Sequence, residues 1–290
     1  MSSRYQKSSL RFLLVLSAGA VCVLLPGLQW LGMGLIGFAK LQKFWLADVF
    51  LLLLWVGFIA WVALDGTIYV PLAVACFSAV LLWIFAQRYN WNQFLWLTGF
   101  GALVCLGLLN LLHTEKSTLA LPMIDGLSEL VGGLELRKLH LLLCTYAVIN
   151  TLLAVMLARA LQAKVTQPGA FTQECRFFRL NGGYWVLWAL LLAMSSVVAS
   201  ENGLLLVSLP LIWAAGVAIA GLPFRKELAS LLALIYLGAC GLTWLVGVTS
   251  VIPYSLGIGL VVFPLVLDRV IDWRAIALMK SLRSLSGSRA

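Results

Sequence analysis

Apolar runs of roughly 18 residues or more recur along this chain from one end to the other, with short clusters of lysine and arginine between them. At about 1.5 Å of rise per residue, such a run coiled as a helix crosses a hydrocarbon layer of about 30 Å. Lipid offers no partner to a backbone amide, so a segment inside it must pair its own peptide groups, as a helix does, or close into a barrel. The barrel is excluded by pattern, because Phe50 to Ala60 is apolar on every face and lacks the in-out alternation of a barrel strand. What remains is an all-α, polytopic transmembrane helical bundle. Composition agrees: 62% of residues are hydrophobic and 11% charged, with a mean hydropathy of +1.02, against a charged fraction of about 25% in soluble domains.

Ten candidate spans can be drawn, at about 8–25, 27–43, 45–63, 67–87, 92–112, 138–161, 183–200, 203–222, 227–247 and 250–267. With the N terminus inside, all but three of the 20 lysines and arginines fall on one side, the exceptions being Lys116, Arg137 and Lys138. The positive-inside bias therefore predicts that both termini are cytoplasmic. Residues 12 to 39 could instead form one long helix kinked at Pro26, which would move every later cluster, from Lys40 onward, to the outer face. The expectation is thus a break at Pro26-Gly27, a pair that interrupts helices, and about 8–10 spans in one integral membrane domain, residues 1–290. Two loops are long enough to hold structure: an outer one at 113–137, with an amphipathic stretch through Leu127, Leu130, Val131 and Leu134, and an inner one at 162–183. Residues 283–290 read as a flexible basic tail. The net charge of +9 serves topology and not nucleic acid, since the basic residues form no continuous soluble domain. Arg4, Lys7 and Arg11 before an apolar stretch imitate a secretion signal, yet no small-x-small cleavage site follows, so the first helix is expected to stay. These features imply a location in a membrane.

Ionisable groups inside a bilayer are functional candidates by default. Asp48 is the one carboxylate well within a span and could bind a cation or relay protons; it could equally pair with Lys40 or Lys43 near the cytoplasmic end. His113 and His140 flank the outer loop, which also carries Glu115, Asp125, Glu129 and Glu135, but no spacing matches a zinc site and no metal is expected. Asn110, Thr145, Asn150, Thr151, Ser195 and Ser196 are polar residues within spans, suited to interhelical hydrogen bonds or to lining a ligand pocket. Asp48, Asn110, His113, His140 and Asn150 make up the candidate ligand-binding set. The inner loop offers Arg176, Phe178 and Arg179 as contacts for a cytoplasmic partner. The six cysteines contain no CxxC pair and read as small apolar residues. No GxSxG, Walker, HExxH or GxGxxG motif and no intramembrane carboxylate pair is present, which argues against an enzyme and against a bound cofactor.

The stretch from Ala158 to Leu180, with Gln167-Pro168-Gly169-Ala170-Phe171, Glu174 and Phe178-Arg179-Leu180, resembles the cytoplasmic loop of the YybS-like family of bacterial membrane proteins. The N-terminal order is similar too: Leu25-Pro26-Gly27, an apolar segment, a basic turn from Lys40 to Lys43, and a new span. That family is a domain of unknown function distantly related to the substrate-binding membrane subunits of energy-coupling-factor vitamin transporters. The resemblance implies a helical bundle that cups a small molecule near its outer side and works with an ATPase and a coupling subunit. The chain departs from those subunits in having more than their six spans and in lacking a ligand motif, so no binding residue is carried over. The resemblance thus implies a transporter-like, small-ligand-binding membrane subunit of a bacterial inner membrane. The competing expectation is a membrane scaffold acting through its cytoplasmic loop, and a third is a lipid-directed enzyme using Asp48, His113 or His140.

Overall fold

A computed structural model describes residues 2–25, 27–65, 68–88, 90–112, 119–120, 136–198, 200–220, 231–240 and 266. The described chain is helical apart from one two-residue parallel pairing of Ile68–Tyr69 with Leu119–Ala120. The chain divides into two compact units, residues 1–168 and 169–290. The first holds α1 (Ser2–Leu24), α2 (Gln29–Leu41), α3 (Trp45–Asp65), α4 (Val70–Arg88), α5 (Trp91–Leu112) and α6 (Leu136–Thr166). The second holds α7 (Ala170–Phe177), α8 (Gly182–Val198), α9 (Ser200–Ala220) and α10 (Leu231–Cys240).

Three helices among the described residues are long and apolar enough to cross a membrane: Trp45–Leu64, Trp91–Leu111 and His140–Thr166. The surface of α3 bears this out. Leu52, Leu53, Val56, Ile59 and Leu64 all stand open, Leu64 at 89% exposure, a continuous apolar face that water would not tolerate and hydrocarbon would. The outer-loop stretch at Leu127 to Leu134, the span at 250–267 and the tail at 283–290 lie outside the described residues.

Local chemistry sets the helix ends. α1 stops at Leu24, and the chain turns through Gly27, whose φ of +84° suits a residue without a Cβ. α2 then runs back along α1. Its 13 residues reach about 20 Å, short of a hydrocarbon core, so it leans on α1 and α6 along its length. Glycine permits this. A Cβ on Gly32 would lie 2.5 Å from the Gly19 carbonyl oxygen and 2.6 Å from the Val23 nitrogen, and one on Gly34 would lie 2.7 Å from the Leu157 side chain. Such close approach replaces the hydrophobic drive that lipid-facing helices lack. α2 ends in a Schellman motif, with Phe44 N–H donating to the Ala39 carbonyl at 3.1 Å, Lys43 N–H donating to that of Lys40 at 2.9 Å, and Lys43 left-handed at φ +59°. α5 is capped by Asn90, whose side chain accepts from the Gln93 N–H at 3.2 Å. α6 ends before Pro168-Gly169, with Gly169 at φ +91°.

Cross-helix contacts give the directions in the first unit. α1 and α2 are antiparallel, with Phe12 against Phe38 and Gly19 against Gly32. α2 and α6 are parallel, since Gln29 meets Tyr146, Gly34 meets Leu157 and Leu41 meets Gln162. α4 lies parallel to α6, since Ser78 meets Thr151 and both Leu82 and Ala158 close on Gly37, and antiparallel to α5, since Phe85 meets Phe94 and Phe77 meets Gly101. Consequently the helix ends carrying Arg11, Lys40, Lys43, Arg88, Arg159 and Lys164 gather at one side of the unit, and the Gly27 turn, Asn110 and His140 gather at the other.

In the second unit α9 packs against α8 and α7. Pro210 sits inside α9, and Gly216 admits the Leu237 side chain of α10, which would lie 3.0 Å from a Cβ there.

Candidate functional site: a polar seam on the central helix

Residues four apart on a helix share a face, and on α6 that relation joins Tyr146 to Asn150. The Tyr146 hydroxyl donates to Gln29 Oε1 at 2.9 Å and accepts from the Gly27 N–H at 3.3 Å, while Gln29 Nε2 donates to the Val23 carbonyl at 3.2 Å. That carbonyl is among the last four of α1, which have no partner within the helix. One tyrosine thus ties the α1–α2 turn to the central helix.

One turn further along α6, Asn150 Nδ2 donates to Ser78 Oγ at 3.0 Å, Ser78 Oγ lies 2.7 Å from Thr151 Oγ1, and Thr151 donates to the Ala147 carbonyl at 2.7 Å. Ser78 and Thr151 are fully buried and Asn150 is 2% exposed. The hydrogens can be accounted for. Thr151 gives its proton to Ala147, so Ser78 gives its own to Thr151, and Ser78 can only accept from Asn150. Asn150 must therefore present its NH₂ edge to α4, which leaves Oδ1 buried with no hydrogen-bond partner among the described residues. Thr145 Oγ1 is in the same condition. Counting along α6 from Leu136 and Thr166, Asn150 lies about 21 and 24 Å from the two ends, close to the middle of the unit. The next charged residue along α6 toward the basic end is Arg159, about 13 Å away. The seam is polar and uncharged.

The residues singled out from sequence do not converge on one place. Asn150 is in the seam. His140, 1% exposed, has Nδ1 3.0 Å from Asn110 Oδ1, and this pair lies near the end of α6 opposite the basic side, about 15 Å from Asn150. Asp48 pairs with Lys40 across the α2–α3 turn, in contact with solvent at the basic end. His113 and the side chain of Arg176 lie outside the described residues. Phe178 is buried at 7% exposure with its ring 5.9 Å from that of Trp213, edge to face, so it anchors the segment after α7 onto α9 and presents nothing to a partner. Arg179 is half-buried. No cluster of three or more metal-ligating side chains exists among the described residues. Beside these, burial and then the adjacent Glu174 carboxylate push the Cys175 thiol up to about 11, so α7 carries no ready nucleophile.

Gln29, Ser78 and Tyr146 were not singled out from sequence, although each lies in a predicted span. Their signal was present: an uncharged hydrogen-bonding side chain in an apolar run needs a partner there.

No protein-family model, no curated protein and no solved structure matches this chain.

Proposed function

We propose that this chain is a multi-pass protein of a bacterial inner membrane, with about 8–10 spans and both termini cytoplasmic, whose first unit binds a small polar molecule at mid-depth as a transporter-like subunit. The observation that carries the reading is the seam itself. A buried hydrogen-bonding group left over in an apolar surround costs roughly 1–3 kcal/mol, a cost that a donor from a bound molecule offsets, and transporter substrate sites lie near mid-depth. The gathering of lysine and arginine at one side of the helices supports the orientation. The family resemblance supports an ATPase and a coupling subunit as partners, and no enzymatic role is assigned. Accumulation of a radiolabelled small molecule by cells expressing the chain, together with co-purification of an ATPase, is the expected result; a chain that purifies alone and drives no accumulation across a metabolite panel contradicts it.

The scaffold reading keeps Arg176 and Arg179 as contacts but not Phe178, whose ring is committed to Trp213. Loss of phenotype on replacing both arginines, with accumulation intact, would favour it.

A further inference from the structure

We propose that the free amide edge of Asn150 is a hydrogen-bonding subsite for a neutral ligand carrying an N–H or O–H donor. The inference rests on the ligand-binding reading above and names the group that touches the ligand. Three observations meet at this position. Asn150 is 2% exposed and its Nδ2 is held by Ser78, so the amide plane cannot swing to satisfy Oδ1 elsewhere without breaking that bond. Oδ1 has no hydrogen-bond partner among the described residues. Turning the amide over would leave the NH₂ edge free in its place, so one edge is free in either orientation, and the hydroxyl chain through Ser78 and Thr151 to the Ala147 carbonyl selects the carbonyl edge.

The chemistry of the occupant follows. An acceptor oxygen recruits a donor, and the neighbouring hydroxyls are engaged with each other. No ionised side chain shares this depth on α6, so a bare ion would lie in a low-dielectric surround without a counter-charge, which is far costlier than burying a neutral amide or alcohol. An unmet edge on a buried asparagine calls for an occupant, a ligand or an ordered water, and the neutral seam favours a donor-bearing neutral one.

The test uses the full chain in lipid nanodiscs with asparagine labelled at the side-chain carbonyl carbon. The Asn150 band is isolated as the infrared difference between wild type and Asn150→Leu. Acetamide, which carries N–H donors, is compared with dimethylacetamide, which has the same carbonyl and none. The expected result is a high-frequency, unbonded Asn150 carbonyl that shifts down with acetamide and not with dimethylacetamide, and a leucine variant with a thermal midpoint no lower than wild type. A carbonyl already at its hydrogen-bonded position before any addition would mean a buried water fills the place, and that result overturns the proposal, as does the absence of any acetamide shift. Accumulation assays separate this from the wider reading: transport by wild type that persists undiminished in Asn150→Leu defeats the subsite alone, whereas wild type without transport defeats the ligand-binding reading.

Discussion

Replacing Gly32 with alanine should push α1 and α2 apart. The added Cβ would lie 2.5 Å from the Gly19 carbonyl oxygen and 2.6 Å from the Val23 nitrogen, while ordinary contact begins near 3.4 Å. Both neighbours are backbone atoms in a packed helix, so no side chain can rotate away, and the helices must separate by about 0.9 Å, the gap between those distances. Overpacking of this kind costs roughly 1–3 kcal/mol. Gly57 on α3 is the control, because a Cβ there meets nothing within 4 Å, and alanine in an open helix position gains roughly 0.5–1 kcal/mol. The two glycine-to-alanine changes should differ by about 1.5–4 kcal/mol and in opposite senses. Scanning fluorimetry of the purified chain in detergent reads the difference as about 3–16 °C, with Gly32→Ala below wild type and Gly57→Ala at or above it. Equal midpoints for the two variants would refute the claim that α2 is held by backbone-to-backbone approach.

Lys43→Gly should raise the midpoint by about 0.5–1 kcal/mol in stability, since Lys43 holds φ +59° and the relief of left-handed strain outweighs the extra freedom gained by the unfolded chain; an unchanged midpoint in the same melt argues against strain there. Tyr146→Phe should lower stability by about 1–2 kcal/mol, because it leaves Gln29 Oε1 and the Gly27 N–H without the hydroxyl that joins them, and chemical denaturation in mixed micelles would measure the loss. Alkylation of Cys175, followed by mass spectrometry, should stay slow at neutral pH and reach half its maximal rate near pH 11 in place of the usual 9.0. The sign for stability follows: between those values the folded chain binds more protons than the unfolded one, so stability falls as pH rises through that window.

Much of this architecture is legible in the amino-acid sequence. Lipid forces helices on apolar runs, and a proline-glycine pair interrupts them, which is why the break at residues 25–28 and the helices from Trp45, Trp91 and Leu136 can be read from spacing alone. Helix partners cannot be read that way. Periodicity places Tyr146 and Asn150 on one face of α6 but does not say that Gln29 and Ser78, over 70 residues away in each case, will face them. Asp48 was legible as a charge in a span with two possible partners; the left-handed turn at Lys43, where glycine is the usual signal, delivers it to Lys40. Phe178 misled for a physical reason. An aromatic ring among charges reads as exposed, yet the short α7 lets the chain fold it onto Trp213.

The central claim is that the basic ends of the first-unit helices face the cytoplasm while the α1–α2 turn faces out, with the seam between them. In a chain whose six native cysteines are replaced, single cysteines at Leu28 and Lys43 can be exposed to a membrane-impermeant maleimide on spheroplasts, before and after permeabilisation. The account predicts labelling of Leu28→Cys in intact spheroplasts and of Lys43→Cys only once they are opened; labelling of Lys43→Cys from outside, with Leu28→Cys protected, would contradict it.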